Sequence, residues 1–360
     1  MADEMRPVQC FETDAGARVY QIPLEAFPGL WAYVYVVLLN DEKGETFRVL
    51  IDAGSGFGDS NQHLERGLQQ ISEMESKPLS LSDLTHIFIT HGHIDHIGGL
   101  SYVRSRTGAL LGVHELDKRN LTNYEERVVI MTCKLSQFLA EAGVPSEQRK
   151  DLLDLYKMTK SLFHSVPVDF TYEQIGMKLG PFRFLHVPGH CAGHVVVRLD
   201  GLLFSGDHVL SGISPHQAPE HLTSFTGLEH YLNSLDILDK WAADVRLTLG
   251  GHRRPITDLK SRLEEIRQVH ASRLEMVLSL LGEPHTIHEV AQSLFGEVNG
   301  YNILLALEEA GAHVEYLYQR GYLGIENLSE LEESDCPIPV YYQRLEGDPS
   351  PVLPSGDRKA

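Results

Sequence analysis

A chain of 360 residues with 42% hydrophobic content has room for one large domain with an appendage, or for two ordinary domains. Its apolar runs stop well short of the roughly 18 residues a bilayer crossing needs, and MADEMRPVQC shows no basic start followed by an apolar stretch, so a soluble, unexported, cytoplasmic protein with no membrane partner is expected. The formal charge of -19 argues against a surface built to hold nucleic acid, and Cys10, Cys133, Cys191 and Cys336, scattered with no CxxC pair, indicate neither a disulfide framework nor a thiolate zinc knuckle.

Along the chain, residues 30–39 are apolar and β-rich, 40–44 form a turn, and 47–51 make a second strand ending at Asp52-Ala53-Gly54. A polar helix over 61–76 precedes Thr85 to Ile89, a buried strand, and 109–113 is a further strand. Residues 115–165 turn helical and charged, with Phe138, Leu152, Leu155 and Leu162 spaced for one face, which reads as an inserted cap. Strands resume at 182–187, 195–199, 202–204 and 245–249. From 258 the pattern is helical again, over 259–281, 287–295 and 301–320, with a break at Gly282-Glu283-Pro284. The last of these helices with Gly321-Tyr322-Leu323 is similar to the third helix and wing of a winged-helix fold. Residues 260–325 carry five Lys or Arg against nine Glu, which favours a packing or homodimerisation module over a DNA reader. Residues 326–360 read as an irregular tail.

The chemistry concentrates in Thr90-His91-Gly92-His93-Ile94-Asp95-His96-Ile97-Gly98-Gly99, a turn leaving the buried strand. There His91 and His93 can point to one side while Asp95 and His96 turn toward a second position, which suits two cations a few ångströms apart. Imidazole and carboxylate donors suit zinc, iron or manganese, and the two glycines let the next helix begin close by. Three later turns each follow a strand and end on a further donor: Gly189-His190, Gly206-Asp207 and Gly251-His252.

The order and spacing of these motifs, with Leu50-Ile51-Asp52-Ala53-Gly54 as the first, resemble the metallo-β-lactamase superfamily over residues 18–257. The resemblance implies an α/β fold, a four-layer αβ/βα sandwich over residues 1–257 with the helical insertion at 115–165, a winged-helix-like domain at 258–325, and metals at one edge between two β-sheets. It implies that His91, His93 and His190 hold one divalent cation, that Asp95, His96 and His252 hold another, and that Asp207 bridges them. Asp95 and Asp207 are then the carboxylates at the reacting centre, and Asp52 orients the ligand loop from behind. The cations expected are zinc, with iron or manganese as alternatives.

Such a pair activates a shared water as hydroxide and polarises the substrate carbonyl or phosphoryl oxygen. No Ser-His or Cys-His nucleophile is needed, so Cys191 reads as a packing residue. β-Lactamases of this fold carry Cys where Asp207 stands, flavodiiron proteins carry Glu at the position of His93, and the acidic balance lacks a nuclease's basic arm. The expectation is therefore a hydrolase of a small ester, thioester or lactone resembling the glyoxalase II-like group. The alternatives are a phosphodiesterase or nuclease, or a mononuclear iron enzyme like the persulfide dioxygenases. Arg253 and Arg254 either attract an anionic substrate group or pair with the acidic excess. His216, with His208 and residues 211–215, is expected to line the pocket, and His86 and His194 to make structural hydrogen bonds. Tyr124, Phe138, Tyr156 and Phe163 either shape an apolar acyl pocket or simply pack the cap on the body.

Overall fold

The computed structural model describes residues 6–161 and 163–345. Leu162, the first five residues of the leader reading, and 346–360 of the tail lie outside these residues.

The first sheet has seven strands in chain order: β1 (Gln9–Glu12), β2 (Arg18–Phe27), β3 (Leu30–Asn40), β4 (Thr46–Ile51), β5 (His86–Phe88), β6 (Leu110–Val113) and β7 (Phe170–Thr171). It is antiparallel through β4 and parallel from there to β7. Each parallel step needs a crossover. Helix α1 (Ser60–Glu75) supplies one between β4 and β5, and α2 (Ile94–Ile97) with α3 (Leu100–Arg104) the next. The cap helices α4 (Glu115–Thr122), α5 (Tyr124–Glu141) and α6 (Ser146–Lys160) bridge β6 and β7.

A second sheet of five strands runs in the order β12 (Leu247–Gly250), β11 (Leu202–Gly206), β10 (Val195–Leu199), β9 (Phe182–His186) and β8 (Lys178–Leu179), with α7 (Leu228–Trp241) joining β11 to its parallel neighbour β12. The period-2 alternation of the strands decides the layering. Val19, Tyr35, Val37, Phe47, Val49, Phe88, Val195, Val197 and Phe204 meet between the two sheets. The alternate residues Tyr20, Val34, Val36 and Leu50 face α1 through Leu64, Leu68 and Ile71. Val196 and Leu203 face outward on the other side, against Leu228, Tyr231 and Leu235 of α7. The result is the four-layer αβ/βα sandwich.

The C-terminal part comprises α8 (Leu259–Leu280), α9 (Ile287–Phe295) and α10 (Asn302–Gln319). Asp258 caps α8 by accepting from the Ser261 amide, and Thr286 with Glu289 forms a capping box on α9. The described part of the expected irregular tail carries regular elements: after β13 (Leu323–Ile325) comes α11 (Leu328–Glu333), and β14 (Tyr342–Arg344) returns to pair antiparallel with β13. These helices share one apolar cluster with α5, α6, α7 and the second sheet, in which Phe138 and Leu139 meet Leu263, Val277, Leu307 and Val314. Among the described residues no helix is long and apolar enough to cross a membrane.

Candidate metal centre

All four donor-bearing turns leave strands at one edge of the sandwich. β5 is followed by Ile89 and Thr90 and then by His91, with His93 standing immediately before α2, so the helix begins inside the cluster. Two glycines let the turn after α2 lie against the β4 loop: a Cβ on Gly98 would stand 2.0 Å from the Ser55 carbonyl oxygen, and one on Gly99 2.1 Å from that of Ala53. The loops after β11 and β12 are tied together by the Gly251 amide donating to the Gly206 carbonyl at 2.7 Å. A Cβ on Gly251 would fall 2.4 Å from Asp207 Oδ1 and 2.5 Å from the His96 ring. Only glycine leaves this cradle open.

Two donor groups result, each with its ligand-type atoms within 4.8 Å of one another: His91, His93 and His190, and beside them Asp95, His96, Asp207 and His252. His91 Nε2 lies 3.1 Å from His93 Nδ1, and His252 Nε2 lies 3.1 Å from Asp95 Oδ2 and 3.2 Å from Asp207 Oδ2. Asp207 reaches both groups, since its Oδ2 is 4.0 Å from His190 Nε2 and its Oδ1 is 3.5 Å from His96 Nε2.

The backs of three of these rings are held by acceptors. His96 Nδ1 donates to Asp52 Oδ2 at 2.8 Å, His190 Nδ1 to the His216 carbonyl at 2.6 Å, and His252 Nδ1 to the Trp31 carbonyl at 2.7 Å. Each of these bonds turns Nε2 toward the cluster, where it offers a lone pair once the ring is neutral. Asp52, in the left-handed region at φ 61, also accepts from the Thr90 amide and hydroxyl at 2.8 Å each. Thr90 Oγ1 stands 3.0 Å from His91 Nδ1.

Burial and the neighbouring imidazoles push His91 and His93 well below the ordinary histidine pKa, so both are neutral donors. Burial works the same way on His96 and His252, but the carboxylates of Asp207 and Asp95 outweigh it; His96 is raised, and His252 is pushed up to about 10. Burial would raise Asp207, yet His252 and His96 hold it well below the usual carboxylate range. The acids call for positive charge at this point. His96 Nε2, His190 Nε2 and Asp207 Oδ1 are buried with no hydrogen-bond partner among the described residues, although buried polar atoms normally have one. The donor set, its unpartnered atoms and the Gly251 cradle fit divalent cations.

A model of the metallo-β-lactamase superfamily matches residues 29–274, well over half of the sequence. The chain belongs to the metallo-β-lactamase superfamily. Among curated relatives it is similar to the probable metallo-hydrolase YqjP of Bacillus subtilis, 27% identical over 288 residues that cover 76% of this chain and 85% of the relative. It is also similar to the hydroxyacylglutathione hydrolase GloC of Haemophilus influenzae, at 26% over 53% of this chain and 71% of the relative. The crystal structure of the metallo-beta-lactamase family protein TTHA1429 from Thermus thermophilus superposes with a TM-score of 0.71 at 26% identity, covering 91% of this chain and 98% of that one. Superfamily membership makes this a metal-binding protein of the metallo-hydrolase kind.

For a superfamily member, the surroundings of the site add residues that its motifs do not mark. Asp117 on α4, fully buried, accepts from the Gly92 amide at 2.8 Å, from the Gly193 amide at 3.1 Å and from Cys191 Sγ at 3.3 Å. One cap carboxylate thus ties the turn between His91 and His93 to the turn after His190, and Cys191 is a buried contact of that clasp. Asp-x-x-Asn on a charged helix looks like a solvated face, so no local signal marked it. Lys160, at the end of α6, is a second such residue. Burial alone would lower its pKa, but Tyr156, Tyr124, Asp95 and Glu308 around it outweigh burial and raise it. Its Nζ stands 5.5 Å from the Tyr156 ring centroid, and the buried Tyr124 hydroxyl nearby has no hydrogen-bond partner among the described residues.

Several pocket expectations change. Arg253 and Arg254 are exposed, and Arg254 Nε meets Ser211 Oγ at 3.3 Å. His216 is half-buried, with Nε2 3.3 Å from Glu308 Oε2 and its carbonyl on His190. His208 is fully buried against Tyr231 and His194 instead of lining the cleft. Phe138 and Phe163 are core residues at 1% and 2% exposure, because the cap helices turn their apolar faces onto the body. As expected, His194 and His86 make structural hydrogen bonds: His194 Nε2 accepts from the Asp207 amide at 3.1 Å, and His86, stacked on Phe47, has its Nδ1 3.0 Å from Thr85 Oγ1.

Proposed function

We propose that this protein is a dinuclear metal-dependent hydrolase, with zinc at both positions, acting on a small ester, thioester or lactone that carries an anionic group. The observation that carries the reading is the pair of adjacent donor sets joined by Asp207. In it His91, His93 and His190 would hold one cation and Asp95, His96 and His252 the other, with Asp207 within reach of both. When bound, such cations supply Lewis acidity toward a substrate oxygen and lower the pKa of water. The chain's own part is to hold the donors rigid: Asp52 orients His96, and Asp117 joins the two ligand turns. Asp95 and Asp207 are the ionised acids at the point where a proton must be taken up and passed on.

Lys160 is the cation we assign to the substrate, in place of the exposed Arg253 and Arg254. With Tyr124 and Tyr156 it offers an ammonium and phenol groups to a carboxylate or similar anion beside Asp95. The similarity to a hydroxyacylglutathione hydrolase supports an acyl substrate. The helices of residues 258–325 with the β13–β14 pair support a winged-helix-like reading, and the acidic balance there favours packing over nucleic acid. A cytoplasmic location belongs to the same proposal.

The test is metal analysis joined to a substrate panel. Two zinc ions per chain are expected, with chelator-sensitive hydrolysis of an anionic acyl thioester, ester or lactone and turnover of bis(p-nitrophenyl) phosphate slower by about 100-fold, ~2.7 kcal/mol. Lys160→Met should raise KM for an anionic substrate about tenfold, ~1.4 kcal/mol, with little change for a neutral analogue. One iron per chain with oxygen uptake on a persulfide would replace this reading.

A further inference from the structure

Between β11 and α7 runs the stretch Leu210–Gln217, which meets the metal centre at the His216 carbonyl, 2.6 Å from His190 Nδ1. Nearly everything that fixes this stretch comes from the C-terminal helices. Arg262 on α8 donates to the Leu210 carbonyl through Nε and to the Ile213 carbonyl through Nη2, each at 2.7 Å. Glu309 on α10 accepts from the Gln217 amide at 2.7 Å, with Arg273 of α8 on its other oxygen at 2.7 Å.

A relay of imidazoles makes the third attachment. His313 Nδ1 is 2.7 Å from the Glu309 carbonyl, His313 Nε2 is 3.2 Å from His270 Nδ1, and His270 Nε2 is 2.8 Å from Ser214 Oγ. A carbonyl only accepts, so His313 must donate from Nδ1 and accept at Nε2; His270 then donates from Nδ1 and accepts the Ser214 hydroxyl proton. Burial lowers both pKa values, in keeping with neutral rings. His270, Glu309 and His313 are close enough together to hold an ion. The closed relay and the Arg273 guanidinium on Glu309 already occupy their donors, so a third cation is not the reading we take.

We propose that α8 and α10 are part of the support of the metal centre, with Arg262 and Glu309 as positioning residues that keep the His216 carbonyl where it orients His190. The inference rests on His190 being a ligand, as proposed above. Detaching the stretch lets the His190 ring turn, which weakens the three-histidine position and leaves its neighbour, whose ring supports are Asp52 and the Trp31 carbonyl, unaffected.

The experiment is stepwise zinc titration of the full chain against a chromophoric chelator, with cobalt absorption spectra alongside. Glu309→Ala should weaken one of the two zinc ions about tenfold or more, the range seen for supports behind a ligand, and change only the cobalt band of the three-histidine position. Glu309→Gln keeps an acceptor for the Gln217 amide and should return the affinity to within about threefold of wild type. Should Glu309→Ala fail to fold, Ser214→Ala cuts the relay at its Ser214 end and is read in the same titration. A lowered Tm with both zinc affinities and cobalt bands unchanged would overturn the inference and leave the proposed function standing. A wild-type chain that takes up no zinc would overturn both.

Discussion

Asp207→Ala should lower kcat by about a thousandfold or more, ~4 kcal/mol in the transition state, while the far-ultraviolet circular dichroism stays that of wild type. Asp207 lies within reach of both donor groups, so on the proposed reading its loss removes a ligand from each position at once. It sits on a loop after β11, and the sheets beneath are packed by Phe88, Phe182, Phe204 and their neighbours, none of which the change touches. His93→Ala should act in the same direction by opening the three-histidine position. The measurement is kcat with zinc content on the same sample, and full activity in a variant that has lost its metal would remove hydrolysis from this centre.

The same substitution has a pH signature in chelated protein. Burial opposes the His252 charge, but Asp207 and Asp95 hold its pKa at about 10. A pKa raised above the unfolded value of about 6.5 contributes stability that is complete below that pH and is lost as pH rises toward 10. Denaturation of the metal-free wild type at pH 6.5 and pH 10 should show that loss, and Asp207→Ala should flatten it. An equal slope in the two proteins would mean that Asp207 is not what holds the proton on His252.

Gly98→Ala should destabilise the fold by about 3 kcal/mol and abolish metal uptake. The backbone at Gly98 is helical, at φ -59, so any residue could adopt it; the space is what forbids a side chain. The new methyl would meet the Ser55 carbonyl oxygen at 2.0 Å and the Ile94 carbonyl oxygen at 2.6 Å. Both obstacles are backbone, and no rotamer change relieves them, so the α2 turn must move away from the β4 loop. That movement breaks the Ala53 amide bond to the His96 carbonyl and the Gly99 amide bond to the Gly54 carbonyl, 2.8 and 2.9 Å long, and carries Asp95 and His96 out of line. Overpacking of this kind typically costs about 1–3 kcal/mol, and the immovable contacts put this site at the upper end. A fall in Tm of roughly 5–10 °C is the corresponding observation. Normal stability with two zinc ions bound would show that the loop tolerates displacement.

The strands were legible because their alternation is strong: Val34 to Val37 on β3 send successive side chains to opposite layers, and the buried run before His91 could hardly be anything else. The donor residues were legible for a related reason. A ligand on a strand-ending turn needs short spacing and nearby glycine, and both are local properties that survive in the linear order. The cap was recognisable as helical, but whether Phe138 and Phe163 lined a pocket or packed a core depended on which way an amphipathic face was turned.

The amino-acid sequence by itself determined the strands and the order of the motifs, and through the family resemblance those motifs carry it implied the two-sheet sandwich with the histidines and aspartates at its edge. Only the tertiary structure decided what stands behind and above them. Asp117, Lys160, Arg262 and Glu309 lie on helices where a charge every few residues is also what a solvated face requires, and nothing local separates the two cases. The site bonds of Asp117, Arg262 and Glu309 reach partners 25 to 92 positions away in the chain, and long-range closure of that kind is fixed by how the apolar faces pack, which brings these polar groups to one place.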